Sequence, residues 1–519
     1  MAYIAAHGKD TPQNYRQAIS GPDADEWWKA MHEEYNLLQK RGTWELVDQP
    51  KDCKVIGCRW TYVIKHGPNG KIVCYKACLV AQGFSQVPGL DYSDTFSPTV
   101  RLNSLCTILH YAAAHGWYCG QDDVTGAFLH SKINHEIYMQ QPEGFSDGTD
   151  KVARLLLSLY GIKQGSYLWN KHMHEKLSSK GFNRLPSDPA VYIHCTATDT
   201  AITLIHVDNV LTVTNSKQML EDTCRLLHSL FEMKEEDPDW LMGVKLTDDC
   251  HKHMVTLSQT QYVELLLKRF HMETCNPVST PMDPGIVLTK ADCPKSDKEK
   301  EEMSRYPYSE ALSSITWLAV VSHPDLTYAP SQLGQYSANP SKTHWKVLMC
   351  ILKYLRGTHD LALTLGRVSD ADSDPNVITG HTDASWAHNA DNHHSTSGYI
   401  FQLGNAVVSW NSKKQSNVAM SSSNAKYVAL AHGVKQALWL HYRMRDIGMF
   451  NSGDPPTTEL FSDNTATIAI AREACFHGWS QHIGTYFHFV HERVEDRTFD
   501  ITHVPTAKML ADGLMKPLT

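Results

Sequence analysis

The run ITLIHVDNVLTV, Ile202 to Val213, decides how this chain is read. Its apolar and β-branched residues form two blocks, Ile202 to Val207 and Val210 to Val213. They read as strands folded on an Asp208-Asn209 turn, since Asp and Asn tolerate the backbone of a tight hairpin. An acid is thereby held at a hairpin tip. A second stretch, QDDVTGAFLHSKINHEIYMQQPEGF from Gln121, supplies Asp123 where Trp117 and Tyr118 give way to small residues and Phe128. Two carboxylates on separate strands suit metal-assisted phosphoryl transfer, in which shared ions align an attacking hydroxyl with a phosphate.

The surrounding composition is that of an ordinary globular protein. At 519 residues and 42% hydrophobic, the chain has room for three or four domains with filled cores. No run of about 18 uninterrupted apolar residues occurs, so no membrane span is expected. The N-terminal MAYIAAHGKD lacks a signal's apolar core. Thirteen cysteines without disulfide-scaffold density suggest free thiols in a reducing compartment, so an intracellular location, cytoplasm or nucleus, is expected. Cys53, Cys58, Cys74 and Cys78 match no tight zinc-ribbon spacing and read as scattered core thiols. The net charge of −8 works against gripping a polyanion, because affinity for nucleic acid rests on Lys and Arg displacing counterions. A local basic track would be needed.

Along the chain, residues 1–25 read as a polar N-terminal segment, extended or disordered to about Gly21. EWWKAMHEEYNLLQKRG from Glu26 predicts a helix with Trp27, Met31, Tyr35 and Leu38 on one face. Strands follow at Thr43 to Val47 and Cys58 to Lys65, then a Pro68-Asn69-Gly70 turn and a strand from Lys71 through Val80. LSQTQYVELLLKRFHM from Leu257 predicts a helix with Leu265, Leu266 and Phe270 as core positions. Residues 283–306 read as an exposed linker, helices separated at Pro324 and Pro340 follow, and GRVSDADSDPN is a second linker. The last domain, 376–519, alternates strands with a long helix from Ser423 to about Asp446 and ends in a helix KMLADGLMK.

Consecutive blocks give the chain a family. TWELV at Thr43, IGCRW at Ile56, YKACLVAQGFSQVPGLDYSDTFSPTVR at Tyr75, EIYMQQPEGF at Glu136, SLYGIKQGSYLWN at Ser158 and HWKVLMCILKYLRGT at His344 follow one another. With the hairpin, they resemble the reverse transcriptase and RNase H region of copia-type retrotransposon Pol polyproteins, from about Trp27 to the C-terminus. The resemblance implies an α+β fold: a polymerase right hand of fingers, palm and thumb over 26–282, with the palm at about 91–256. A helical connection at 283–375 and an RNase H-like α/β domain would complete it. Protease, integrase and nucleocapsid regions are not expected. It also implies RNA template, DNA primer, RNA/DNA hybrid and dNTP as partners, no membrane, and Mg²⁺ as cofactor, two ions per site. By resemblance Asp123 and Asp208 bind metal in the polymerase, and Asp383, Asp463 and Asp512 in the RNase H. Gln164 would line the nucleotide pocket. Lys65 and Lys76 would face the triphosphate, and stand equally as solvated strand charges.

The departures from the family pattern are informative. Its hairpin reads Tyr-Val-Asp-Asp, whereas this chain has His206-Val207-Asp208-Asn209. Cys78 replaces an Arg in the fingers, and Tyr167 an Arg near Gln164. On the long helix, alignment places the fourth RNase H acid, a Glu, at Lys426, a charge reversal that would set an ammonium among three aspartates. His206, Asn209, Cys78, His393, Lys426 and Gly484 are each reachable from the family residue by a single transition in the genetic code. That signature suggests a relic, impaired in both activities. Two alternatives stay open: an active polymerase that tolerates Asn209, and a domesticated, non-enzymatic module that binds nucleic acid or protein.

Overall fold

The computed structural model describes residues 11–51, 53–66, 72–367, 374–449, 456–472 and 484–517. Residues 1–10, the expected turn at 68–70, the side chain of Lys65, the middle of the GRVSDADSDPN linker and residues 481–483 lie outside the described set. The chain divides into two compact units, one of Met1–Val100 with Cys119–Asp237 and one of Arg101–Tyr118 with Pro238–Thr519.

In the first unit, the helix Ala24–Lys40 buries Trp27, Met31 and Leu38, as its periodicity predicts. It lies against a two-stranded ribbon, Cys58–His66 with Ile72–Ala81, whose inward residues Trp60, Tyr62, Ala77 and Leu79 share its core. Within the segment expected to be extended or disordered to about Gly21, residues Tyr15–Ser20 form a short helix. Asn14 caps it, its side-chain oxygen accepting from the Gln17 N–H. The main sheet runs Met233–Glu236, Tyr118–Val124, Asn209–Thr214, Thr200–His206, Asp188–Cys195, Asn183–Leu185. Helix Gly165–Ser178 covers it through Trp169, Met173 and Leu177.

The hairpin Thr200–His206 and Asn209–Thr214 pairs His206 with Asn209, so the turn is Val207-Asp208, one residue earlier than the sequence suggested. Register explains the difference. The observed register sets apolar residues opposite one another, Ile202 with Val213, Leu204 with Leu211 and Ile205 with Val210, whereas a turn one residue later would shift the pairing by two and oppose His206 to Leu211 and Ile205 to Thr212. Asn209 therefore stays in the strand, and Val207 takes a left-handed φ of 60°. Two-residue hairpins favour glycine where φ is positive, and a β-branched residue there is strained by roughly 1–2 kcal/mol. A buried indole helps hold it: Trp169 Nε1–H donates to the Val207 carbonyl at 2.7 Å.

The second unit carries a sheet of Trp240–Leu241, Val244–Asp249, Met254–Ser258 and Ala362–Gly366, the last two pairing antiparallel. Helices Thr260–Arg269, Tyr308–Val321, Tyr328–Gly334 and Lys342–Gly357 pack around Val263, Leu266, Ile315, Leu318, Ile351 and Leu352. Leu265, expected in the core, is 59% exposed, because helical spacing aligns Val263 with Leu266 and Leu267 instead. The expected linker at 283–306 is also packed: Leu288 and Met303 are buried in this core, and helix Asp297–Ser304 opens on a Ser296/Glu299 capping box. The sequence-based boundary at 282/283 therefore falls inside one compact unit. Helix Leu102–His115, placed within 91–256 by sequence, belongs to this unit too.

The unit ends in a five-stranded mixed sheet, Ala406–Lys414, Thr396–Leu403, Ile378–Ser385, Thr458–Ser462, Phe499–His503, antiparallel among the first three strands and parallel in the rest. The long helix Ser422–Asp446 lies on it. Among the described residues, no helix is long and apolar enough to cross a membrane.

Two consequences are measurable. Trp169→Phe leaves the Val207 carbonyl without its donor and is expected to destabilise the protein by about 1–3 kcal/mol. Amide exchange at the hairpin tip should accelerate with it. Unchanged urea midpoint and exchange in Trp169→Phe would show the tip to be held otherwise.

The second concerns His110, fully buried on Leu102–His115. Its Nδ1 accepts from the Gly366 N–H at 3.1 Å and its Nε2 lies 2.8 Å from the Pro375 carbonyl, so the neutral Nε2–H tautomer fits and a proton on Nδ1 would oppose a donor. Burial lowers its pKa to about 4, against partial help from the Pro375 carbonyl. The unfolded chain takes the proton near the ordinary value of about 6.5. Stability from this group is thus complete above pH ~6.5 and is lost as the pH falls toward ~4, by about 3 kcal/mol. Urea midpoints between pH 7 and 4 should fall accordingly, and less steeply in His110→Gln.

Candidate functional site

Two groups of acids deserve separate description, one in each unit. In the first, the sheet order sets Tyr118–Val124 beside Asn209–Thr214. The Val124 N–H donates to the Asp208 carbonyl at 2.8 Å, which brings the backbones carrying Asp123 and Asp208 together. Alternation along the strand then separates two acids. Asp122 points into the core, where its Oδ1 lies 2.7 Å from His228 Nε2 on helix Lys217–Leu230, and Asp123 takes the other face. Burial first, then negative charges including Asp208 and Asp123, push the Tyr160 phenol upward, so both aspartates act on one buried ring.

The residues around this pair are those the sequence marked as altered. Asn209 Nδ2 donates to Asp208 Oδ1 at 3.3 Å. Burial holds the His206 imidazole below its ordinary pKa, and Asp208 pulls the other way. Cys78 sits opposite Thr61 in the ribbon, its carbonyl accepting from Thr61 Oγ1 at 3.2 Å. Lys65 pairs with Cys74 across the ribbon; Cys74 is exposed and the other three cysteines of that region are half-buried, so none of the four is a core thiol. Lys76 acts on Glu34 of helix Ala24–Lys40, whose carboxyl burial raises while the Leu79 N–H and Lys76 lower it.

Gln164 is only 1% exposed. Its Nε2 donates to the Asp91 carbonyl at 2.9 Å and its Oε1 accepts from Gln86 Nε2 at 3.2 Å. Both ends of the amide are used to shape the 86–91 segment, rather than being offered to a nucleotide. Trp169 and Tyr160 were not singled out by sequence reasoning, although both lie in the SLYGIKQGSYLWN block. An indole or phenol inside a family block was the available signal.

A carboxylate at a strand end beside one on a hairpin turn suits Mg²⁺, which is bound by one or two protein carboxylates together with substrate phosphates and water. Asp123 and Asp208 would hold it. Asn209 adds an amide but no charge.

In the second unit, small residues set the geometry. Ala384, Ala419, Ala425 and Ala429 form a contact of their own. At Gly433 a Cβ would come 2.3 Å from Thr382 Cγ2. The long helix therefore lies close on strand Ile378–Ser385, and Lys426, one turn into the helix, reaches the strand end. Its Nζ lies 2.8 Å from Asp383 Oδ1 and 2.5 Å from Asp463 Oδ1. Asp463 follows strand Thr458–Ser462 and accepts from Thr506 Oγ1 at 3.0 Å through its Oδ2. Asp383 is fully buried, and its Oδ2 makes no hydrogen bond. Burial raises its pKa, Lys426 opposes that, and Asp463 adds to it. Burial works against the Lys426 charge, but the two carboxylates outweigh it and its pKa rises.

Asp512 departs from expectation. It lies not at the start of a helix but in a 3₁₀ turn, Leu510–Leu514, and pairs with Lys516 at 2.8 Å. The buried positions Ala511 and Leu514, three apart, suit 3₁₀ spacing and pack over Gly398, the cross-strand partner of Asp383. The structure therefore joins Asp383 and Asp463 through a lysine, and couples Asp512 to another. This donor set does not fit a metal, because an ammonium stands between the carboxylates. Among the described residues, no group of three or more His, Cys, Asp or Glu is placed to hold one.

Comparison with known proteins shows what the chain is similar to. Residues 41–284 match the family described as Reverse transcriptase (RNA-dependent DNA polymerase). The chain is 34% identical over 518 residues to a retrovirus-related Pol polyprotein from transposon TNT 1-94 of Nicotiana tabacum, covering 99% of this chain and 38% of that protein. It is also 34% identical over 511 residues to the Pol polyprotein from transposon RE2 of Arabidopsis thaliana, covering 97% of this chain and 34% of that one. The chain thus spans little more than a third of the length of these relatives. Among solved structures, RNase H1 of Halobacterium salinarum aligns with 27% of this chain and 95% of its own, at 18% identity and a TM-score of 0.20. With a reverse transcriptase match that contains both Asp123 and Asp208 and near-complete alignment of the chain to transposon polyproteins, residues 41–284 are a reverse transcriptase region of the kind carried by retrotransposon Pol polyproteins.

Proposed function

We propose that this region descends from an RNA-directed DNA polymerase joined to a hybrid-cleaving RNase H, and that its polymerase activity is impaired. In this reading residues 26–282 make the right hand of fingers, palm and thumb, 283–375 the connection, and 376–519 the RNase H-like domain. The observation that carries it is the bond from the Val124 N–H to the Asp208 carbonyl, which brings the strand end bearing Asp123 against the hairpin turn bearing Asp208, an arrangement suited to two-carboxylate metal chemistry. Bound Mg²⁺ would neutralise phosphate charge and favour attack by a primer hydroxyl. Asp123 and Asp208 would hold it, the ribbon carrying Lys65 and Lys76 would approach a dNTP, and RNA template, DNA primer and RNA/DNA hybrid would be the partners.

Impairment follows from charge. Asn209 contributes no carboxylate and hydrogen-bonds the one beside it, and Cys78 provides no cation on the ribbon. A second reading, a module that binds nucleic acid without turnover, draws on the same Asn209–Asp208 contact, since a carboxylate engaged by a neighbouring amide is less available to metal.

Primer extension on an RNA template is expected to run roughly a hundredfold or more below a polymerase with an intact carboxylate set, about 3 kcal/mol of transition-state stabilisation. Asn209→Asp alone should recover little, because the nucleotide side remains short of positive charge. Robust extension by the unmodified protein would overturn the impaired reading.

Binding to an RNA/DNA hybrid should be weak and should fall steeply with added salt, because a chain of net charge −8 depends on local cations such as Lys65, Lys76, Lys413 and Lys414. A filter-binding titration across salt concentrations measures the slope. Tight binding that ignores salt would point to recognition by stacking.

A further inference from the structure

We infer that Lys426 is a tethered cation that takes the place of a metal ion between Asp383 and Asp463, so that the second unit neutralises its own carboxylates and folds without Mg²⁺. This stands apart from the polymerase reading, which concerns other residues.

The geometry carries it. Lysine is rarely buried, and its long stem normally lets the ammonium reach water. Here the Lys426 side chain is 16% exposed, and its ammonium is directed at two carboxylates that are themselves 1% and 7% exposed. The three groups come from three elements: the strand Ile378–Ser385, the loop after Thr458–Ser462 and the helix Ser422–Asp446. None of these acids could stay ionised there alone, because a buried charge must be paired. One ammonium against two carboxylates leaves one negative charge. The unbonded Asp383 Oδ2 and the Thr506 hydroxyl on Asp463 Oδ2 mark where it is felt. Asp512 has its own cation in Lys516.

Two consequences follow. A divalent ion can enter only by expelling the ammonium, which would then need another partner or a path to water, so Mg²⁺ gains little. Removing the ammonium leaves Asp383 and Asp463 facing each other uncompensated, which is strongly unfavourable for buried charges.

The test uses the full chain carrying Asp123→Asn and Asp208→Asn, which silences the other carboxylate pair. In that background Lys426 is compared with Lys426→Glu and Lys426→Met by thermal melting in EDTA and across a Mg²⁺ titration, with calorimetry counting bound Mg²⁺. Unmodified Lys426 should give no saturable Mg²⁺ heat and no metal-dependent melting shift. Lys426→Glu should melt lower in EDTA, gain a saturable site, and rise by about 3 °C per tenfold Mg²⁺ beyond saturation. Lys426→Met should melt lower at every Mg²⁺ concentration, and adding Asp463→Asn to it should recover part of the loss. Misfolding of Lys426→Glu in EDTA with rescue by Mg²⁺ supports the inference. Saturable Mg²⁺ binding with Lys426 in place overturns it if that binding vanishes in Asp383→Asn. So does a Lys426→Met protein as stable as its parent, or one that Asp463→Asn does not help.

Discussion

A carboxylate withdrawn from water must be balanced by a cation or by hydrogen-bond donors, and this constraint governs both acid clusters of the chain. In the second unit the balance is built in. Asp383 could not be fully buried at the end of its strand unless an opposite charge reached it, and the close seating of the long helix through Ala425, Ala429 and Gly433 delivers Lys426 there. Helix packing, strand register and charge are one problem at that point. A bulkier residue at Gly433 would lift the helix and withdraw the ammonium with it.

The aspartates of the first unit answer the same constraint differently. Asp122, the buried neighbour of Asp123, has His228 as its partner, whereas Asp123 and Asp208 are only half-buried and lie where the strands end. Half-exposed carboxylates can stay charged in water and still accept a metal, which a fully buried pair holding an ammonium cannot. Asn209 shifts this balance without replacing the pair. Its amide gives Asp208 a donor, and that donor competes for the same oxygen a cation would use.

Much of this was legible in the sequence, and the failures have physical causes. The amphipathic helix from Ala24, the ribbon, the hairpin and the long helix all follow from periodicity, because each buries one face. Positioning Lys426 opposite Asp383 and Asp463 followed from family alignment, since register on a long helix fixes which side chain meets the strand end. The turn at Val207 was misplaced because the local preference of Asp-Asn competes with cross-strand pairing, and the apolar pairs Leu204–Leu211 and Ile205–Val210 won. The segment at 283–306 was misread because its Lys, Glu and Pro content hides the two apolar anchors, Leu288 and Met303. Gln164 shows the opposite limit. A family block can mark a position without revealing that its amide is already spent on Asp91 and Gln86.

These observations separate inheritance of a fold from inheritance of a chemistry. The backbone arrangement that brings Asp123 to Asp208, and Asp383 to Asp463, depends mainly on sheet order, small-residue packing and buried apolar faces, with Asn209 closing the hairpin and Lys426 balancing Asp383. Asn209 and Lys426 sit where the fold accommodates them, the first because the hairpin tip is half-open to water, the second because its ammonium pairs with two buried acids at once. A substitution that removes a metal ligand would ordinarily leave the remaining acids to repel one another and weaken the domain. A lysine that reaches both carboxylates, as Lys426 does, offsets that repulsion within the fold itself.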